Sequence, residues 1–191
     1  QLVAAMNPCP CGHLGDASSR CRCPPERITA YRSRVSGPLL DRIDLHVEVG
    51  RVAIEEIADD ARPEDSMAVA ERVAAARSLQ LRRQSRTNAR LEGNALAAAC
   101  AADRQALEVL ARAMRQLGLS ARAYHRVLRV ARTIADLAQS PGVRVEHVAE
   151  AITLRQLDRR SADAVATCRQ FVKSFMRSCG TMSASCATPP D

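Results

Sequence analysis

The apolar positions of this chain change period twice along its length. Leu2 to Met6 is an unbroken apolar run that stops at Asn7. Such a run predicts a short parallel strand, buried on both faces. Residues 8–24 have no period and are rich in Pro, Gly and Cys, which predicts a loop or knuckle. Pro24, Pro25 and Glu26 open a helix reaching about Arg34, because proline is tolerated in a first turn. Ser36-Gly37-Pro38 breaks it, and Pro38 to Arg42 fits one further helical turn. Ile43, Leu45, Val47 and Val49 then alternate with Asp44, His46 and Glu48, the period of a half-buried strand.

Beyond Ala53 the period becomes helical. Ser66 to about Gln84 places Met67, Ala70, Val73, Ala74, Arg77 and Leu81 at helical spacing. Asp103 can cap a helix ending at Leu117, with Gly118 as its stop. Ser120 can cap the next, through about Ala138, whose Ala123, Val127, Val130, Ala131, Ile134 and Leu137 form an apolar stripe. Pro141-Gly142 ends it, and Val145 to about Leu157 is the last periodic segment. The pattern therefore predicts the edge of an α/β layer over residues 1–50, a linker over 51–62 and a helical bundle over 63–158. Residues 159–191 lack any period and read as a disordered tail.

Composition supports a helical reading. Aromatic residues make up 2% of the 191 and there is no Trp, so the core must come from Leu, Val, Ile and Ala. The net charge is +7, and Lys173 is the only lysine. Arginine offers a planar fork of donors suited to phosphates and carboxylates, so the charge admits a nucleotide or nucleic-acid partner. An arginine-for-lysine coding bias explains the same number equally well. No apolar run reaches membrane-spanning length and no signal peptide precedes Gln1, which points to a cytoplasmic protein without a membrane partner.

Four of the eight cysteines crowd into the pairs Cys9-x-Cys11 and Cys21-x-Cys23. Four thiolates brought together by a turn through Gly12 and Gly15 can hold Zn2+ in a tetrahedron. Free thiols in a reducing compartment and redox chemistry are the alternatives at this point.

Three further residues suit phosphoryl transfer. Asn7 follows a predicted strand, where open α/β sheets bind ligands. Arg42 lies on a tight turn beside Asp41 and Asp44, a place from which a cation can reach a neighbouring site. Arg122 falls in the first turn of a helix, whose dipole favours phosphate. Arg122, Arg126, Arg129 and Arg132 lie at helical spacing along one stripe. That stripe is either a solvated face or a phosphate contact, with Arg126 and Arg129 as candidates for nucleotide or DNA.

Long blocks of the chain resemble a known family. Val3 to Gly12, Cys21-Arg22-Cys23, Tyr31 to Val49, Leu117 to Leu137 and His147 to Ile152 are similar to the magnesium-chelatase-like AAA+ ATPases of the YifB/ComM type. The resemblance implies the end of a P-loop AAA+ core followed by a mainly helical lid. It implies Asn7 as the first sensor of nucleotide state, Arg42 as an arginine finger and Arg122 as the second sensor. It also implies ATP and Mg2+ as cofactors, a hexameric ring of like subunits, and DNA remodelling or branch migration, or else a chelatase-type role. The family's phosphate-binding loop and Walker B acid have no counterpart in these residues. The resemblance thus implies a carboxy-terminal portion that does not hydrolyse ATP alone. A stand-alone zinc-stabilised DNA-binding module is the rival expectation.

Overall fold

A computed structural model describes residues 2–15, 20–50, 52 and 64–155. The expected tail over 159–191 and all but one residue of the expected linker over 51–62 lie outside the described residues. Among the described residues seven α-helices follow one another: α1 Pro25–Arg32, α2 Gly37–Arg42, α3 Ser66–Gln84, α4 Gly93–Cys100, α5 Arg104–Leu117, α6 Ala121–Leu137 and α7 Val145–Thr153. A single 3-10 turn, Asn88–Arg90, separates α3 from α4.

Local chemistry sets the ends of the long helices. The Asp103 side chain accepts from the Ala106 amide at 2.6 Å, and Ser120 accepts from that of Ala123 at 3.1 Å. Each satisfies an amide that the first turn leaves without a helical partner. Gly118 closes α5 at φ 58°, a left-handed turn that glycine enters without strain. At Gly142 the reason for glycine is space, since a Cβ there would sit 2.7 Å from the Ala101 carbonyl oxygen.

Helix α6 is the centre of the bundle and packs against α3, α4 and α7. Its Val127, Leu128, Ala131 and Ala135 bury with Val109, Leu110 and Ala113 of α5, Leu96 of α4 and Val148, Ala151 and Ile152 of α7. Each fully buried Leu or Val contributes roughly 1.5–3 kcal/mol.

Helix α3 joins the bundle by a different face from the one its spacing suggests. Ala76 and Gln80 are buried, while Met67, Val73 and Leu81 are exposed. A polar network explains the register. Asp136 is 2% exposed and takes both η nitrogens of Arg83, at 2.7 and 3.1 Å, and the Asn88 amide at 2.8 Å. Arg132, itself buried, donates to the same carboxylate at 2.7 Å and to the Ser140 and Pro141 carbonyls at 2.8 and 3.0 Å. Gln80 closes the network by accepting from the Asn88 backbone amide at 3.0 Å. Helix α3 thus docks through hydrogen bonds, and its apolar stripe is left outside.

Burial alone would raise the Asp136 carboxyl. Donation from Arg83, Asn88 and Arg132 outweighs it and holds the group below its ordinary value. Asp136→Ala leaves two arginines facing a buried gap, a loss worth about 3–5 kcal/mol. Chemical denaturation should show that drop at neutral pH. Because the folded carboxyl is the more acidic, its contribution is complete above the ordinary carboxylate range. It is lost as pH falls through the folded value, so the gap between wild type and Asp136→Ala should close in acid.

The α/β expectation is corrected at the level of secondary structure. Among the described residues there is no strand, and the chain is mostly helical. Leu2, Val3, Leu45, Val47 and Val49 stand exposed in non-helical backbone. A strand exists only through its ladder, and among the described residues neither segment has a neighbour to pair with.

Candidate functional site

The two cysteine pairs converge. A turn closed by the Gly12 amide on the Cys9 carbonyl at 3.0 Å reverses the chain, with Gly12 at φ 78° and Gly15 at φ 86°. The Arg32 Nε donates to the Pro8 carbonyl at 3.1 Å and ties α1 to the knuckle. Cys9 Sγ lies 3.3 Å from Cys11 Sγ and 3.7 Å from Cys21 Sγ, and Cys11 to Cys21 is also 3.7 Å. With Cys23 included, all four sulfurs fall within 4.8 Å of one another. None of the four is in a disulfide.

A tetrahedral ion with metal–sulfur bonds of about 2.3 Å needs sulfurs about 3.8 Å apart, so the cluster can hold a metal ion of zinc's size. Its electrostatics agree. Burial pushes the Cys9 thiol up, but donation from Cys11, Leu14 and Cys21 outweighs this and brings it down to about 6. Cys21 gains from the Cys23 amide but loses more to burial and to its thiol neighbours, and is pushed up to about 11. The first thiolate raises the cost of the next, and a divalent cation removes that repulsion.

Asn7 is exposed and lies over the knuckle, with its side chain 3.8 Å from where a Gly12 Cβ would be. Arg42 is exposed at the last position of α2. Ser36 caps that helix by accepting from the Leu39 amide at 3.3 Å, and the Arg42 guanidinium donates back to the Pro38 carbonyl at 2.8 Å. Arg122, at the start of α6, is exposed and lies 3.6 Å from the Asp41 carboxylate. Arg122 is therefore brought to the turn that carries Arg42, through Asp41, the residue before it. Asn7 belongs to the knuckle.

The remaining arginines of the stripe do not form a solvated face. Arg126 donates to the Arg42 carbonyl at 2.7 Å and pairs with the Asp44 carboxylate. Arg129 donates to the Leu91 carbonyl at 2.8 Å, and Arg132 is buried on Asp136. Turned inward, Arg126, Arg129 and Arg132 hold the fold together, which weakens the expectation of an arginine stripe laid along DNA. Arg155 was absent from the expected set. Its side chain is 1% exposed, and it donates to the Ile43 carbonyl at 3.1 Å and approaches Asp41 at 3.7 Å. The available signal for Asp136 was its position four residues after Arg132 within an apolar stripe.

No described helix is long and apolar enough to cross a membrane. Residues 63–155 match the family described as magnesium chelatase, subunit ChlI C-terminal, and residues 1–57 match magnesium chelatase, subunit ChlI. YifB of Salmonella typhimurium is 41% identical over 160 residues, covering 83% of this chain and 31% of that protein. The competence protein ComM of Haemophilus influenzae is 40% identical over 162 residues, covering 83% and 31%. Rv2897c of Mycobacterium tuberculosis is 36% identical over 164 residues, covering 84% and 32%. The chain spans about a third of the length of these relatives.

Proposed function

The chain belongs to the magnesium-chelatase-like YifB/ComM family of AAA+ proteins, and from that premise we propose that it is the carboxy-terminal part of an ATP-driven DNA-remodelling ATPase. The observation that carries this reading is the rigid presentation of Arg42. Its turn is capped by Ser36, and Arg126 holds its own carbonyl, while the guanidinium stays at the surface.

In this reading Arg42 reaches into the nucleotide site of the neighbouring subunit in a hexameric ring and neutralises charge on the transferring γ-phosphoryl group. Arg122 senses the same nucleotide from the start of α6, where the helix dipole also favours phosphate. Asn7 orients the attacking water. Mg-ATP itself would be held by a phosphate-binding loop outside these 191 residues, so this chain alone is not expected to turn it over. Residues 2–6 and 43–49, non-helical with continuous or alternating apolar side chains, would be strands once the rest of the sheet stands beside them. Zn2+ in the cysteine knuckle would brace that edge without entering the chemistry. The protein would work in the cytoplasm, with DNA as the substrate it moves.

The native mass tests this reading. An antibody to residues 103–158 should detect, in cell lysate, a protein well above the 20.7 kDa of this chain. Detection at 20.7 kDa alone would leave no nucleotide-binding core for Arg42 and Arg122 to serve, and would sink the ATPase reading for this chain.

A further inference from the structure

The Arg42 turn and the helical bundle are far apart in sequence, yet described hydrogen bonds join them at several points. Arg126 of α6 donates to the Arg42 carbonyl at 2.7 Å and pairs with Asp44. Arg155, just beyond α7, donates to the Ile43 carbonyl at 3.1 Å and lies 3.4 Å from that of Asp44. The His46 amide donates to the Leu154 carbonyl at 2.6 Å. Both guanidiniums are largely withdrawn from solvent, with side-chain exposures of 16% for Arg126 and 1% for Arg155. Charge-assisted bonds from such groups to backbone carbonyls are among the stronger hydrogen bonds, and they fix a backbone rather than a mobile side chain.

We propose that Arg126 and Arg155 are positioning residues that clasp the turn carrying Arg42 to the helical bundle, so that the finger and the lid of one subunit move as one body. The proposal rests on the ATPase reading for the meaning of "finger" and "lid", and on geometry alone for the clasp. Its consequence is mechanical. A change of lid angle at one subunit's own nucleotide, sensed through Arg122, would carry Arg42 toward or away from the next subunit's nucleotide. Arg122 and Arg126 lie one turn apart on α6, so the sensing and clasping arginines share one rigid rod.

Hydrogen exchange on the full chain tests the clasp without ATP. Arg155→Ala removes a buried side chain and can fail to fold, so Arg126→Met is the companion variant; it keeps the aliphatic stem and removes the guanidinium that holds the Arg42 carbonyl and Asp44. In Arg126→Met, the hydrogen-bonded amides over residues 39–50 should exchange about tenfold faster or more, while those of α5 and α7 keep wild-type protection. Unchanged exchange over 39–50 would overturn the clasp whether or not the protein is an ATPase. In the complete ATPase the same variant should lower kcat while leaving KM for ATP in place. A brace that was only structural would lower the folded fraction and leave kcat per folded site intact. Faster exchange with an unaltered kcat would therefore overturn the positioning role and spare the ATPase reading.

Discussion

Titration of the metal-free chain with Zn2+ is expected to saturate at a single ion, with a dissociation constant below about 1 μM. Four sulfurs within 4.8 Å already lie near the spacing of a tetrahedral site, so little ordering of the ligands remains to be done. Structural zinc in small peptides is worth about 10–16 kcal/mol where folding is coupled to binding. Protons compete for the same sulfurs, so affinity should fall as pH is lowered. Native mass spectrometry would count the ion, and cobalt substitution would show thiolate ligation by its charge-transfer absorption. Cys9→Ser should be the most damaging of the single ligand changes, because Cys9 is the fully buried member. Its cost should exceed the roughly 10–100-fold loss that follows removal of an outer partner of a ligand. The helical bundle should keep its melting temperature in that variant, because the core formed by α4 to α7 does not include the knuckle. A chain refolded in zinc that retains no metal would contradict the site.

The parts of the fold that were readable from sequence are those set by rules acting within a few residues. Asp103, Ser120 and Gly118 each act on their own helix terminus, and the ends of α5 and α6 fall where those residues place them. The convergence of the cysteine pairs was likewise readable, since only nine residues separate them in sequence. What was not readable depends on partners distant in sequence. The alternation of Ile43 to Val49 describes a strand only in the presence of a neighbouring strand. The buried face of α3 departs from its apolar stripe because Arg83 and Gln80 dock the helix on Asp136 and Asn88. Arg132 reads as solvated in any local window, and only the Asp136 carboxylate one turn away makes its burial tolerable. The short helix α4 carries no local start signal, because Glu92 supplies no side-chain cap and Gly93 begins it at positive φ.

On the proposed ATPase reading, Arg42 carries the largest functional effect. An arginine finger stabilises charge that develops only in the transition state, and its removal costs about 10³–10⁵ in kcat. Arg42 has the requirements of such a group in this chain: an exposed guanidinium on a short capped helix whose last carbonyls are held by Arg126 and Arg155. If it acts in a neighbour's site as proposed, its loss should affect turnover and leave the subunit's own nucleotide affinity intact. Complementation follows from the same geometry. Arg42→Ala subunits, whose own nucleotide sites are sound, should regain activity when mixed with subunits that cannot bind ATP but keep Arg42.

The measurement that tests the central claim most directly is steady-state ATP hydrolysis by the complete ATPase containing this segment, wild type against Arg42→Ala. The account predicts that the variant assembles and binds ATP normally, yet turns over about 10³-fold more slowly or worse. Wild-type turnover in the Arg42→Ala protein would contradict it.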